Sequence, residues 1–282
     1  MVLMNMSNTN DSPGWLPKLL SVVRIGVGFM ILEHGYQTAF GLFGGRADWN
    51  FAKLHAWAGP IEALGATMLV LGLFTRCTAF ILSGEMAVAY FQSPARWATT
   101  TAVFFPVANN GEEAVLNCFI FLWLATAGGG SWSLDALIAR RRKGSASAPA
   151  GAAWEPQARA LMRMVAAYMI LLHGVRVIFG VLPERGRGPG MALDHLGIVA
   201  GYLLLAIGVL MFAGLFTRIT TLVLSLMSWF AYFYLCAPRA PLPVRNGGND
   251  VLLYAFTFLF VAAVGAGAWS LDRLRQNKPS VS

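Results

Sequence analysis

Eight long apolar stretches, separated by short polar or glycine-rich segments, run through the chain of 282 residues. Their apolar residues are continuous and lack the period-two alternation of a lipid-facing β-strand. Most stretches approach the ~20 residues that an α-helix needs to cross a bilayer. The pattern therefore predicts eight transmembrane helices, over residues 16–43, 57–74, 77–93, 113–128, 158–181, 195–216, 219–236 and 249–268.

Short motifs occur twice, once in each half of this pattern. The recurring pairs are Gly72–Arg76 with Gly214–Arg218, His34-Gly35 with His173-Gly174, and Trp132–Asp135 with Trp269–Asp272. We therefore predict a tandem duplication, with a first four-helix membrane domain at residues 1–143, a flexible linker at 144–157 and a second domain at 158–282. Because each copy has an even number of spans, the two bundles are expected to be parallel-related, about an axis along the membrane normal.

Composition and charge agree with an all-α integral membrane protein. Hydrophobic residues make up 57% of the chain, charged residues only 12%, and the mean hydropathy is +0.60. With this topology, 13 of the 21 Lys and Arg residues lie on the side of the termini, which predicts cytoplasmic termini in a cell inner membrane. The net charge of +8 then reflects topology, so the bilayer is the expected partner and nucleic acid is not.

Four ionisable side chains of the first copy fall within its apolar stretches: Glu33, His34, Glu62 and Glu85. Such groups are costly in a membrane unless they are paired or protonated, so they are candidates for function. Counted along the helices, His34, Glu62 and Glu85 all fall near mid-membrane on three helices. The second copy keeps the histidine and replaces the three acids, with Leu172, Leu204 and Met227 in their places. A catalytic site built on these acids is therefore predicted in the first copy alone.

Several interpretations of the cluster stay open. Buried Glu and His side chains can serve only as hydrogen-bond partners between helices, and the survival of His173 favours a packing role for both histidines. Alternatively, the cluster handles protons or contacts a quinone, as suits ionisable groups of low-dielectric pockets. An iron site is the third alternative, but no helix carries the Glu-x-x-His spacing of di-iron bundles, so we predict no metal.

The three cysteines fall singly at unmatched positions, Cys77, Cys118 and Cys236, and form no Cys-x-x-Cys motif. The sequence therefore predicts neither an iron–sulfur site nor a thiol redox pair. If the protein transfers electrons, its redox group is a quinone that is not covalently bound, or belongs to a partner subunit.

Other charged residues are given structural roles. Arg24 and Arg163 lie near the cytoplasmic ends of their helices and are expected to snorkel to the membrane surface. Glu112 and Glu113 open the fourth helix, where negative charge at a helix N-terminus is the first interpretation and a loop-facing site the second. After Trp132, Ser133 is expected to cap a short surface helix with Asp135 in its first turn.

These motifs together resemble the DoxX family. The resemblance rests on His-Gly in the first helix, Glu62 followed by Gly72–Arg76, the segment Ser83–Phe91, Asn-Gly-Glu before the fourth helix and Trp132–Asp135 after it. It covers the whole first copy, whereas the second copy departs from it at the acidic positions. The resemblance implies a four-helix membrane protein whose relatives include the membrane subunit of a thiosulfate:quinone oxidoreductase and proteins of thiol redox defence or enzyme maturation.

The sequence thus predicts the membrane subunit of a quinone-linked oxidoreductase, with Glu62, Glu85, His34 and Glu33 as candidate catalytic residues and an oxidoreductase subunit as partner. Whether the chain itself is an enzyme stays open, as does a homo-oligomer. The alternatives are a non-catalytic anchor or maturation factor and a small-solute transporter, which parallel repeats permit.

Overall fold

The computed structural model describes residues 14–47, 49–51, 53–92, 104–141, 152–180 and 195–276. Within them the regular elements are helices. They are α1 Leu16–Phe40, α2 Ala58–Leu71, α3 Thr75–Gln92, α4 Pro106–Asn109, α5 Glu112–Ala127, α6 Leu134–Arg141, α7 Glu155–Phe179, α8 His195–Ala213, α9 Thr217–Ala231, α10 Pro243–Asn246, α11 Asn249–Val264 and α12 Leu271–Gln276. A π-helical turn, Tyr232–Cys236, extends α9.

The predicted all-α class is confirmed for the part of the chain that the structure describes, because each of the eight apolar stretches contains a long helix there. The structure describes only the end of the predicted linker, residues 152–157. Residues 144–151 lie outside the described residues, but α7 already begins at Glu155, inside the predicted linker. Glu155 is held there by Arg159 one turn later and by the indole N–H of Trp123, which donates to its Oε1 at 3.0 Å.

Two described helices are long and apolar enough to cross a membrane, Ala152–Phe179 and Thr217–Cys236. The shorter apolar helices include Ala58–Leu71, Gly197–Ala213 and Asn249–Val264. Large apolar side chains nevertheless project outward from several helices, for example Phe80, Leu226 and Phe230. Large exposed apolar patches are typical of lipid-facing or interaction surfaces.

The two halves pack through their own helices in the same way. In the first half α1 pairs with α2 and α3 with α5, and in the second half α7 pairs with α8 and α9 with α11. Between the halves α1 packs on α11 while α7 packs on α5. Trp123 of α5 also packs against its own counterpart, Phe260 of α11, with ring centroids 4.3 Å apart and the rings tilted by 48°. A pseudo-two-fold axis therefore runs between α5 and α11, along the helices.

A buried arginine ties the ends of three helices together in each half. Arg24 is fully buried and donates to the backbone carbonyls of Gly129, at 2.8 Å, of Val70, at 2.6 Å, of Trp132, at 2.7 Å, and of Leu69. Arg163 makes the equivalent set of bonds in the second half. The expectation that these arginines snorkel to the surface is wrong, because each guanidinium turns inward to cap the carbonyl ends of neighbouring helices.

Two of the three repeated motifs, Gly72–Arg76 and Trp132–Asp135, meet at this same end. The carboxylate of Asp135 accepts the N–H groups of Phe74 and Thr75, both at 2.8 Å, and so caps α3. Ser133 accepts the N–H of Ala136 at 3.1 Å and caps α6, as expected. Gly72 has a positive φ of 68°, and a Cβ there would collide with Ser133 and Arg24. We call this end of the bundle, where α1 begins and α5 ends, the proximal end; the other is the distal end. These two recurring motifs are thus explained by structure.

Candidate functional site

The first-half histidine contacts one of the predicted acids. His34 Nδ1 lies 2.7 Å from Glu62 Oε2, across the packed pair of α1 and α2. Gly35 makes this contact possible, because a Cβ at that position would lie 2.4 Å from the backbone N of Ala63. The Glu62 side chain is 3% exposed and that of His34 43% exposed. The pair therefore joins a buried carboxylate to an imidazole that reaches the protein surface.

Two further acids lie within electrostatic range of this pair. Glu85 of α3 interacts with Glu62 and His34, and its buried Oε2 has no hydrogen-bond partner among the described residues. Glu113 of α5 also interacts with His34 and Glu62, and its Oε1 accepts the side-chain N–H of Asn249 at 3.0 Å. The structure thus brings His34, Glu62 and Glu85 together and adds Glu113, which the sequence interpretation had assigned to a helix terminus.

Glu33 lies apart from this group, although it precedes His34 in the chain. Successive helix residues point about 100° apart, so they serve different faces. Glu33 is fully buried towards the second half, where its Oε2 accepts the N–H of Val244 in α10 at 3.2 Å. Its role as a candidate catalytic residue stays a prediction, but the described contacts give it a bond between the halves.

The acidic site lies closer to the distal end than the sequence suggested. Glu62 is four residues from the start of α2, or about 6 Å, and His34 is six residues from the end of α1, or about 9 Å. Glu113 is the second residue of α5. The mid-membrane expectation treated each apolar stretch as a full span, whereas α2 has only 14 residues.

A second His–Glu pair connects the two halves. His173 Nε2 lies 2.7 Å from Glu112 Oε1, and the hydroxyl of Tyr254 donates to the same oxygen. Asp250 lies within electrostatic range of both Glu112 and Glu113. From the sequence, Glu112 and Glu113 are first interpreted as charges at a helix N-terminus and second as a loop-facing site. In the structure their carboxylates bond across the pseudo-two-fold axis, to residues of α7 and α11.

The chemistry available at the first-half site is proton transfer. An imidazole and three carboxylates are groups that bind and release protons, and low dielectric strengthens their coupling. No cluster of three or more His, Cys, Asp or Glu side chains with metal-binding geometry occurs among the residues described here. The three cysteines are free and lie on α3, on α5 and in the π-helical turn after α9.

An apolar groove of about 690 Å³ lies at the proximal end, between the first half and the start of α7. It is lined by Phe80, Ile81, Leu122, Trp154, Leu161 and Trp269. Its polar rim includes Arg76 and Gln157, and Gln157 Oε1 is buried without a partner in the described part of the chain. This groove is lined by no Asp, Glu or His side chain, so the acids and both histidines described above lie outside it.

Comparison with known proteins gives the family. A protein of Haemophilus influenzae, described as an uncharacterized protein, is 39% identical to this chain over 130 residues, which are 45% of this chain and 95% of that protein. No solved structure matches the chain. The DoxX family model matches residues 19–93, which include Arg24, the His34–Glu62 pair, the first Gly-Leu-Phe-Thr-Arg motif and Glu85. The chain therefore belongs to the DoxX family of membrane proteins.

Proposed function

We propose that this chain is the membrane subunit of a quinone-linked oxidoreductase of the thiosulfate- or thiol-oxidising type. In this proposal it crosses the inner membrane eight times as two DoxX-like bundles, with both termini in the cytoplasm. The proposed oxidoreductase role rests on the 2.7 Å contact between His34 and Glu62. The neighbouring Glu85 carboxylate has a buried Oε2 without a hydrogen-bond partner in the described structure. A buried proton-binding group with this environment is a candidate functional site by default.

The proposed role of the site is to deliver protons. Reduction of a quinone to a quinol consumes two electrons and two protons. Oxidation of two thiosulfates to one tetrathionate, or of two thiols to a disulfide, supplies the two electrons, and thiols also release two protons. The three free cysteines of this chain lie apart, so we assign the electron-donating step to a partner subunit.

The lining of the proximal groove suits a bound quinone. The groove's volume and its apolar, aromatic lining fit the hydrocarbon chain of a quinone, and the unpartnered Gln157 Oε1 is an acceptor for a hydroxyl of the quinol product. Because the acids do not line this groove, we propose that His34, Glu62 and Glu85 supply protons and do not contact the quinone.

The experiment is thiosulfate-dependent quinone reduction in native membranes. Wild type is compared with a deletion strain and with strains that carry Glu85→Gln or Met227→Leu, the latter a control at the equivalent position of the second half. We expect the deletion to abolish the activity and Glu85→Gln to lower it by about 10²-fold or more, since amides cannot carry protons. Met227→Leu is expected to keep the wild-type rate. Unchanged activity in the deletion strain would exclude the thiosulfate reaction.

A non-catalytic anchor or maturation factor is the second candidate. The observation in its favour is the His173–Glu112 pair, which joins two helices. The second half forms this His–Glu contact although it lacks the three acids of the first-half cluster. In that case Glu85→Gln lowers the amount of protein or of bound partner, and the rate per assembled complex does not change.

A further inference from the structure

One difference between the two sides of the pseudo-two-fold axis involves the position of Tyr254 and that of its partner Glu112. A constant offset of 137 residues relates α5 to α11, so Tyr254 corresponds to Asn117 and Asn249 corresponds to Glu112. On the His173 side, Tyr254 reaches across the axis, donates to Glu112 and packs edge-on against the His173 ring. The equivalent pair on the His34 side is Asn117 with Asn249.

Both asparagines leave polar atoms without partners. Asn117 is completely buried, and neither its Nδ2 nor its Oδ1 has a hydrogen-bond partner among the described residues. Asn249 is 9% exposed; its Nδ2 donates to Glu113, while its Oδ1 is also unpartnered there. An asparagine side chain is shorter than tyrosine by an aromatic ring. It therefore does not span the distance that Tyr254 spans on the other side.

We propose that bound water molecules fill the space between Asn117 and Asn249, and that they connect Glu113 with the His34–Glu62 pair as a path for protons. Buried amide groups almost always have a partner, and water can donate and accept at once. The unpartnered atoms comprise one donor group and two acceptors, all on the two asparagines. A purely apolar ligand would leave all of them unsatisfied.

The path runs from the distal surface inward. Asn249 and Glu113 begin their helices at the distal end, and Glu113 is within electrostatic range of His34 and Glu62. On the other side the Tyr254 ring occupies the equivalent space, and Leu172, Leu204 and Met227 stand where the first half has acids. The water path therefore belongs to the first half alone. The role of this water path in catalysis rests on the proposed function. The existence of the water sites does not depend on that function.

The first test is a structure of the wild-type protein in lipid nanodiscs, at a resolution that shows ordered water. We expect density within hydrogen-bond distance of both Asn117 and Asn249, with further density towards Glu113. A direct Asn117–Asn249 hydrogen bond, or apolar side chains filling the space, would overturn the proposal. This measurement needs no electron donor, so it stands whether or not quinone reduction is found.

The second test gives the first half the residue of the second half. Asn117→Tyr is expected to remove the density and to slow donor-dependent quinone reduction by at least tenfold. Asn117→Leu, close in size to asparagine and without polar atoms, is the variant to use if the tyrosine does not fold. Tyr254→Phe, which removes a hydroxyl on the other side only, is the matched control and is expected to leave the density unchanged. A full rate in Asn117→Tyr without the density would overturn the proton path.

Discussion

Replacing Arg24 with leucine is expected to lower the free energy of unfolding by about 3–5 kcal/mol. The guanidinium is fully buried and donates to four backbone carbonyls from the ends of α2 and from the segment after α5. Leucine fills part of the volume but leaves these carbonyls without a donor, and each buried unsatisfied group costs about 1–3 kcal/mol. Chemical unfolding of the purified protein in detergent measures the change.

Two other arginines provide the comparison. Arg163→Leu removes the equivalent bonds in the second half and is expected to be about as costly as Arg24→Leu. Arg140→Leu removes an exposed charge from α6 and is expected to change the free energy of unfolding by no more than about 0.5 kcal/mol. If Arg24→Leu behaved like Arg140→Leu, the buried arginine would not hold the proximal end together.

Replacing Glu62 with glutamine is expected to lower the rate of donor-dependent quinone reduction by about 10²–10⁴-fold, the range typical for loss of a general acid or base. Glutamine keeps the size of the side chain and a hydrogen bond to His34 but cannot exchange a proton with it. The rate is measured per amount of protein in the membrane, in a deletion strain that carries the variant gene.

The control for this change lies in the second half, where Leu204 occupies the position equivalent to Glu62. Leu204→Met alters the packing between α7 and α8 without touching the acids, and the rate is expected to stay within about twofold of wild type because such apolar exchanges are well tolerated. A wild-type rate for Glu62→Gln at a normal protein level would mean that the His34–Glu62 contact serves only to join α1 to α2.

The apolar pattern located every long helix to within a few residues, because continuous hydrophobic runs bounded by glycine and polar residues are a local signal. It did not show which way a side chain faces, since helices that are apolar all round give no rotational signal. Arg24 illustrates the difference. The sequence showed that Arg24 lies near the end of a helix. Whether its side chain turns to the surface or into the bundle depends on the backbone carbonyl groups at the end of α2 and of Gly129.

Glu113 shows the same limit within the site. An acid in the first turn of a helix normally complements the helix dipole, so the sequence favoured that role. Its contact with Asn249 arises only where α5 meets α11, 136 residues further along the chain. The sequence did carry one signal of a further role for these acids. Glu112 and Glu113 are matched by Asn249 and Asp250 in the second half, so the two halves differ in charge at equivalent positions.

The comparison of the halves separates what holds the fold from what distinguishes the site. The bonds of Arg24 and Asp135 recur with Arg163 and Asp272, so those motifs are required to build either bundle. The acids at positions 62 and 85 occur only in the first half. A function based on proton transfer must therefore depend on the first-half acids that act with His34, because the repeated His-Gly motif alone does not distinguish the halves.

The most direct measurement gives the first half the residues of the second: Glu33→Leu, Glu62→Leu and Glu85→Met in one variant, expressed in the deletion strain. The second half already carries leucine, leucine and methionine at the equivalent positions, so the bundle is expected to form and the protein level to stay normal. Our account predicts that donor-dependent quinone reduction falls to the level of the deletion strain. Wild-type activity in this variant would contradict a proton-transfer role for the first-half acids.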